Sequence, residues 1–372
     1  MNVPPPDRPG AGQAKHAAGE TGEQPSTSFL GGHGNSGSMA PRRTNGPARQ
    51  SRPQERESER KLTLCGDIGG TKSLLGLADN GRLVLDRRYA NADFQDFAGV
   101  LAAFLADAQT ESALIDRGCL ALAGPIADDG RSARLTNLPW TINADALSRR
   151  HGLPALRLVN DFAAAAMGAV LAPATQRVTL QHGEALAAAP CLVVGAGTGL
   201  GMAVVLPQHG SWRILAGEGG HVAFAPADEQ QIELWKFLRA RHGRVTWERV
   251  VSGPGLAAIH ECFAGIELPP EEIAALALAR PKGAERRSLD LFLAAYGAFA
   301  GDMALACLAR GGVFLAGGIA AKLLPLLAQS GFRAAFNAKA EHAAIAARMP
   351  IHVATDPRLG LLGALHLATG EP

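Results

Sequence analysis

The chain contains 372 residues, of which 47% are hydrophobic and 19% charged, with 44 glycines. This balance is typical of an α/β enzyme and excludes a disordered or fibrous protein as a description of the whole chain. The first 60 residues hold eight Lys and Arg and six Asp and Glu, so the rest carries equal numbers of bases and acids. That electrical balance argues against nucleic acid or a charged membrane surface as the main partner.

Residues 1–60 differ in composition from the rest of the chain. They are rich in Pro, Gly, Ser, Gln and Arg and have almost no aliphatic periodicity, so we predict a disordered extension. A signal peptide would need a continuous apolar segment there, and a transit peptide would contain few acids, whereas Glu55, Glu57 and Glu59 alternate with other residues. The internal Met39 also allows the extension to result from an over-long start assignment.

The five cysteines are widely scattered and include no Cys-x-x-Cys pair. Reduced core thiols of a cytoplasmic protein are the expected interpretation. No apolar run approaches the length of a membrane span without a charge or glycine break, so no membrane partner is expected.

The first ordered segment is a strand, turn and strand. Leu62 to Asp67 and Ser73 to Ala78 are apolar runs, and the turn between them contains Gly69 and Gly70. Such a glycine turn can present amide donors to phosphate oxygens. Asp67 would repel a bare phosphate, so its position indicates a cation between them and hence a magnesium nucleotide. The alternative is a glycine hairpin with an incidental acid.

A third strand at 83–89, a helix from about Asp93 and a strand at 118–123 continue an α/β domain. Asn143 is a predicted N-cap for the next helix. The strand that begins at Leu156 ends at Asn160 and Asp161, where an alanine-rich helix starts. Acids and amides at such a strand end are well placed for ligand contacts, although Asp161 could instead only cap the helix.

A second glycine hairpin repeats the first, roughly 130 residues later in the chain. Cys191 to Val194 leads into the glycine-rich turn 195–201, and Met202 to Leu206 leaves it. Two such hairpins from two half-similar domains could hold a triphosphate from both sides of a cleft.

Glu218 and His221 stand three residues apart between glycines, which makes a packed helix improbable there and exposes both side chains. They could bind a metal, hydrogen-bond a polyol, or belong to a structural turn. Further along, Ser252 to Gly255 opens a predicted helix with free N–H groups. Gly317 and Gly318 follow a buried strand and would allow close approach of a nucleotide base or sugar. Predicted helices at 288–310 and 359–367 and a strand at 351–354 complete the chain.

With these segments placed, residues 61–372 resemble the bacterial glucokinases of the hexokinase, actin and Hsp70-like ATPase superfamily. The resemblance rests on eight motifs that occur in order. They are Gly66-Asp-Ile-Gly-Gly-Thr-Lys72, Leu122-Ala-Gly-Pro125, Leu135-Thr-Asn-Leu-Pro-Trp140, Val159-Asn-Asp-Phe162, Gly195-Ala-Gly-Thr-Gly-Leu-Gly201, Gly217-Glu-Gly-Gly-His221, Glu248-Arg-Val-Val-Ser-Gly-Pro-Gly255 and Leu315-Ala-Gly-Gly-Ile319.

The resemblance implies ATP-dependent phosphorylation of D-glucose at its 6-hydroxyl, with Mg²⁺ bound near Asp67, in part through water. Asp161 would be the general base. The hexose ligands would be Asn160, Asp161, Glu218, His221 and Glu248. The nucleotide would contact Asp67, Gly69, Gly70, Thr71, Lys72, Gly197, Thr198, Gly199, Gly253, Gly317 and Gly318.

It also implies a two-domain actin-like ATPase (ribonuclease H-like) α/β fold with a cleft between a smaller and a larger domain. We expect the small domain at 61–170, the large domain at 171–359, and a C-terminal helix at about 360–372 that packs back on the small domain. A cytoplasmic homodimer without nucleic-acid or membrane partners is expected.

Lys72 departs from the Asn that often follows Gly-Gly-Thr in this group, and a lysine there also resembles the broader ROK (repressor, open reading frame, kinase) sugar kinases. That family usually has a cysteine-rich zinc motif after its Glu-x-Gly-His segment, but no cysteine lies between Cys191 and Cys262. A ROK-type kinase for another hexose or an amino sugar remains the alternative. A sugar-responsive transcription regulator is a further one, but its DNA-binding helices would have to lie in 1–60, where the composition disfavours them.

Overall fold

The computed structural model describes residues 61–110, 112–154 and 156–370. The predicted disordered extension at 1–60 lies outside the described residues. In the first part of the chain, the strands and helices follow one another in an α/β order. They are β1 (Leu62–Ile68), β2 (Lys72–Asp79), β3 (Arg82–Ala90), α1 (Phe97–Asp107), β4 (Ile115–Leu122), β5 (Ser132–Arg134), β6 (Thr141–Asn143), α2 (Ala144–His151), β7 (Leu156–Asn160) and α3 (Asp161–Leu171).

The rest of the chain has the same α/β character with more helices. Its elements are β8 (Arg177–Gln181), β9 (Cys191–Ala196), β10 (Leu200–Gln208), β11 (Ser211–Gly217), α4 (Glu229–His242), α5 (Gly253–Ala264), α6 (Pro270–Ala279), α7 (Ala284–Ala306), β12 (Gly312–Ala316), α8 (Gly318–Lys322), α9 (Leu324–Leu327), α10 (Phe332–Asn337), α11 (Ala343–Ala347), β13 (Ile351–Ala354) and α12 (Leu359–Thr369).

Two sheets share one pattern. The first has the strand order β3-β2-β1-β4-β7, and the second has β11-β10-β9-β12-β13-β8. In each, a three-stranded antiparallel meander is extended by two strands parallel to its first strand, β4 and β7 in one sheet and β12 and β13 in the other. The two glycine hairpins therefore occupy equivalent places, at β1-β2 and at β9-β10.

Helix α3 joins the two sheets. It contacts β4 and β7 of the first sheet and β9, β10, β11 and β12 of the second. Helix α12 packs on α3 and on β1, β2 and β4. The domain boundary at 170/171 stays a prediction.

The ends of several helices differ from the sequence prediction. The first helix was expected from about Asp93, but Asn91–Asp93 forms a 3₁₀ turn and α1 begins at Phe97, where Asp96 accepts a hydrogen bond from the Gly99 amide. Asp93 and Asp96 are both suitable N-caps, and the sequence alone does not show which of them begins the helix. Asn143 caps α2 as predicted. The long helix predicted at 288–310 lies four residues earlier, at Ala284–Ala306.

Among the described residues, α7 is long and apolar enough to cross a membrane by length and composition. Its buried residues include Phe292, Tyr296 and Phe299, which belong to the largest hydrophobic cluster of the protein. Core helices meet the same length and composition criterion.

Candidate active site

The first glycine turn, between β1 and β2, is held by a residue that the sequence analysis missed. The Gly69 amide donates to the Lys72 carbonyl at 3.0 Å, which closes the turn. Asn91 is 2% exposed, and its side-chain amide donates to the Gly69 carbonyl at 2.9 Å. The Asn91 backbone amide also donates to the carbonyl of Thr71. Asn91 therefore fixes the turn backbone, while the side chains of Thr71 and Lys72 are exposed.

The second glycine turn, between β9 and β10, is tied to the start of α5. The Gly197 amide donates to Gly199, and the Gly253 amide donates to the Gly197 carbonyl, both at 2.8 Å. The Ser252 hydroxyl caps α5 by accepting from the Gly255 amide, as the Ser-Gly-Pro-Gly pattern predicts. The free N–H groups predicted at this helix start thus adjoin the turn.

Glu248, a predicted hexose ligand, contacts this same turn. Its Oε2 accepts a hydrogen bond from the Leu200 amide at 2.9 Å. A Cβ on Gly199 would lie 2.7 Å from Oε2, so the turn needs glycine there to approach the carboxylate. One carboxylate oxygen of Glu248 therefore holds the backbone of the glycine turn.

Asp161 is the first residue of α3, and it is not the N-cap. Asn160 caps the helix, because its Oδ1 accepts from the amides of Phe162 and Ala163. The Asp161 Oδ1 accepts from the Phe162 amide at 2.8 Å and from the Asn160 side chain at 3.1 Å. Burial raises the pKa of Asp161, and these hydrogen bonds partly oppose that shift. The N-cap of α3 is therefore Asn160, one residue before the position considered from the sequence.

Asp67 is a second, half-buried acid near Asp161. Burial raises the pKa of Asp67 to about 6; the negative charge of Asp161 adds to the increase, and Lys72 opposes it. No described residue donates a hydrogen bond to its carboxylate. Two acids that repel one another, one of them without a donor, are a donor set that fits a hard divalent cation such as Mg²⁺.

After β11, Glu218 precedes the 3₁₀ turn Gly219–His221, and the side chains of Glu218 and His221 are 88% and 58% exposed. Their closest approach is 3.8 Å, between His221 Nε2 and Glu218 Oε2. The part of the chain that the structure describes contains no group of three metal-ligating side chains, so the metal interpretation of this pair gains no support. The predicted exposure of both side chains is confirmed.

The Phe162 ring connects the start of α3 to the second glycine hairpin. A Cβ on Gly195 or on Gly201 would lie 2.6 or 2.5 Å from this ring, so both strands need glycine to accommodate it. Asp161 is thereby held beside β9 and β10 through its immediate neighbour in sequence.

A pocket of about 360 Å³ brings together several predicted nucleotide contacts. Gly197, Thr198, Gly253 and Gly318 line it. Its walls are completed by apolar side chains that were not predicted to contact the nucleotide. Two charged residues, Glu271 and Lys322, also line the pocket. Its other lining residues are Pro254, Leu256, Pro270, Ala274, Ile319 and Leu323. Helix α6, which supplies one wall, was not predicted at all.

Gly317 adjoins this pocket with φ +85° and ψ 163°. This backbone conformation is essentially restricted to glycine, and a Cβ there would also lie 2.9 Å from the Ala196 carbonyl. Gly317→Ala should therefore lower the free energy of unfolding by about 1–3 kcal/mol. Denaturant unfolding would measure it, with Gly318→Ala as the matched control because a Cβ there meets no atom within 4 Å. Equal stability of the two variants would contradict the expected strain.

A second groove, of about 550 Å³, is lined by Pro125 and by residues 134–139. Two of the motifs noted in the sequence, Leu122 to Pro125 and Leu135 to Trp140, thus meet in space. Gly70 of the first glycine turn lies against Asn137, because a Cβ on Gly70 would be 3.0 Å from the Asn137 Cβ. The groove therefore borders the first glycine turn.

The comparisons with known proteins agree with this geometry. The sequence model of the Glucokinase family matches residues 64–371. A curated glucokinase from Nostoc sp. is 36% identical over 336 residues, which cover 82% of this chain and 97% of the relative. Another, from Chromobacterium violaceum, is 34% identical over 82% of this chain and 89% of its own length.

Among solved structures, a glucokinase from an Antarctic psychrotroph superposes with a TM-score of 0.75 at 29% identity, covering 83% of this chain and 98% of that one. A ROK family glucokinase from Streptomyces griseus, solved with glucose and AMPPNP, has a TM-score of 0.55 at 21% identity, covering 82% and 99%, and shows a shared fold. The fold is thus the two-domain actin-like ATPase α/β fold expected from the sequence. With a family match that spans nearly all the described residues, the chain belongs to the glucokinase family.

Proposed function

We propose that this protein transfers the γ-phosphoryl group of ATP to the 6-hydroxyl of D-glucose. The observation that carries the proposal is the placement of Asp161, a partly buried carboxylate at the start of α3, joined through Phe162 to the second glycine hairpin. The glucokinase relatives at 34–36% identity support glucose as the acceptor. The match to the Glucokinase family model favours glucokinase over another hexose or amino-sugar kinase, whereas the ROK kinases share only the fold.

Asp161 is the proposed general base. Its carboxylate would accept the proton of the sugar 6-hydroxyl as the oxygen attacks phosphorus. A raised pKa makes it a stronger base than an ordinary aspartate. A base of this kind contributes about 10²–10⁴-fold to the rate, and positioning and charge neutralisation supply the remainder.

The nucleotide would lie across the second glycine turn. The apolar walls formed by Leu256, Ala274 and Ile319 suit the base, whereas the amides at Gly197 and at the start of α5 suit phosphate oxygens. Inorganic polyphosphate has no group to fill those apolar walls, so ATP is the expected donor. Gly69, Gly70, Thr71 and Lys72 would face the phosphates from the first turn, and Gly199, Gly317 and Gly318 would line the site.

Asp67 would hold Mg²⁺, in part through water. The ion would supply positive charge to the phosphate oxygens during transfer. Asp67 is placed for this role on β1, next to the first glycine turn, where its carboxylate has no competing donor among the described residues.

The hexose would be held by Asn160, Asp161, Glu248, Glu218 and His221. Asn160 already orients Asp161 through a hydrogen bond, so it would act on both the base and the sugar. Glu248 would offer Oε1, since Oε2 accepts from Leu200. Because the side chains of Glu218 and His221 are exposed, both can accept hydrogen bonds from sugar hydroxyl groups. Charge-assisted hydrogen bonds of this type contribute on the order of 1.5–3 kcal/mol each.

A homodimer, a cytoplasmic location and the absence of nucleic-acid and membrane partners stay predictions.

The direct experiment is to incubate the purified full chain with ATP, Mg²⁺ and glucose and to identify the product by ³¹P NMR. The expected product is glucose 6-phosphate, and 6-deoxyglucose should give no phosphorylated sugar. Phosphorylation of 6-deoxyglucose, or transfer to another hydroxyl of glucose, would contradict the proposal.

The pH dependence of kcat/KM should reflect the raised pKa of Asp161. A general base works only when deprotonated, so the rate falls as the pH drops through its pKa. Because burial raises that pKa, the acid limb should have its midpoint clearly above the value of about 3.9 of an ordinary aspartate. A rate that stays constant down to pH 4 would argue against Asp161 as the base, provided that circular dichroism shows the protein folded there.

A further inference from the structure

Gly360, the second residue of α12, lies directly against the Asp67 carboxylate. A Cβ on Gly360 would be 2.5 Å from Oδ2 and 2.6 Å from Cγ of Asp67. Real Cβ atoms essentially never approach other atoms more closely than 3.0 Å, so any side chain at 360 would displace the carboxylate or the helix. The carboxylate of Asp67 thus rests on bare backbone in the first turn of α12.

The helix that carries Gly360 has no freedom to give way. A Cβ on Gly363, three residues later on the same face, would lie 1.7 Å from the Ala164 carbonyl of α3. In the other direction, a Cβ on Gly168 of α3 would lie 2.2 Å from the Leu359 carbonyl. The two helices therefore meet backbone to backbone on both sides of Gly360.

This contact links the two acids of the site. Helix α3 begins with Asp161, α12 packs along α3, and the first turn of α12 supports Asp67 on β1. The far end of α12 is anchored as well, because the Arg157 side chain of β7 donates to the Leu367 carbonyl at 3.2 Å. The positions of Asp161 and Asp67 are thus both fixed by the helix pair α3 and α12.

We infer that Gly360 is a positioning residue, and that the first turn of α12 sets the place of the Asp67 carboxylate relative to Asp161. The inference rests on the proposed function for its catalytic consequence, while the contact itself can be tested separately. Gly360 would act on the metal side of the reaction through Asp67, without touching the sugar.

The contact is tested by a double-mutant cycle on thermal unfolding in metal-free buffer. Gly360→Ala should lower the Tm by at least about 4 °C, because the new Cβ overlaps a half-buried carboxylate. In the Asp67→Ala background that carboxylate is gone, so adding Gly360→Ala should cost little. If Gly360→Ala alone does not fold, recovery of a folded double variant supports the inference equally. Equal losses in both backgrounds, or a double variant that does not fold, would overturn it.

The positioning role is tested by metal binding. With a non-hydrolysable ATP analogue present, electron paramagnetic resonance should show Mn²⁺ binding about 10-fold more weakly to Gly360→Ala than to the wild type. Turnover should fall while the KM for glucose stays unchanged. Wild-type affinity for Mn²⁺ together with wild-type turnover would overturn the inference. Failure of the wild type to phosphorylate glucose would refute the proposed function but leave the unfolding cycle valid.

The matched control is Gly99→Ala in α1. Gly99 also lies in the first turn of its helix, but a Cβ there would meet the Phe94 ring at 3.5 Å, an ordinary contact. This variant should have a Tm equal to or above that of the wild type, because alanine restricts the unfolded chain, and it should keep wild-type turnover and Mn²⁺ affinity.

Discussion

Asp161→Asn should lower kcat by at least about 10²–10⁴-fold and leave glucose binding largely intact. The amide has nearly the same size and can still accept the hydrogen bond from the Phe162 amide, so the corner between β7 and α3 should keep its shape. It cannot accept the proton of the 6-hydroxyl. Steady-state kinetics and isothermal titration with glucose would separate the two effects.

The control for this variant is Asp128→Asn, at an exposed position in the loop after β4. It should match the wild type in kcat and in affinity for glucose. Near-normal turnover of Asp161→Asn would remove Asp161 as the base, and a loss of glucose affinity as large as the loss of kcat would make it a sugar ligand only.

Asp67→Asn should abolish most activity and at the same time stabilise the metal-free protein. The lost negative charge would cost about 10²–10³-fold in kcat if Asp67 holds the metal. The stability gain follows from the raised pKa: burial and Asp161 make the ionised carboxylate unfavourable in the folded state. Above pH 6 this penalty is on the order of 3 kcal/mol, and it disappears as the pH falls below the unfolded value of about 3.9.

Unfolding midpoints in metal-free buffer at pH 8 and pH 4 would measure this effect. The asparagine variant should exceed the wild type at pH 8 and approach it at pH 4, since the wild-type carboxyl is then protonated in the folded state and about half protonated in the unfolded state. A variant that is less stable than the wild type at pH 8 would show that the Asp67 charge has a favourable partner in the folded protein.

The local part of this site could be predicted from the sequence. Apolar runs and glycines defined both hairpins, and Asn160 and Asp161 were placed at a strand end by the change from strand to helix. The eight motifs then identified the family, which the comparisons confirm. These signals suffice because each lies within one short segment of chain.

The missed features depend on contacts that are distant in sequence. Asn91 holds Gly69 across 22 residues, and Glu248 holds Leu200 across 48. Gly360 meets Asp67 from the opposite end of the chain. Helix α6 escaped prediction because it begins at Pro270 and lacks a side-chain cap, so its start resembles a proline-rich loop. No local pattern reports any of these features.

The two sheets show why paired glycine hairpins were the most informative feature of the sequence. The same strand pattern recurs around β1 and around β9, and each copy bears a glycine turn at the end of its first strand. One hairpin alone would fit a simple turn. Their equivalence in two sheets, with α3 between them, explains how one acid on that helix could serve both.

The central claim is that ATP and glucose are the substrates, and one coupled assay of the full chain tests it most directly. The assay would compare kcat/KM for glucose, mannose, fructose and glucosamine with ATP, and for glucose with ATP, ADP and polyphosphate. We expect glucose with ATP to give the highest value in both series. A higher kcat/KM for another hexose, or for polyphosphate, would contradict it.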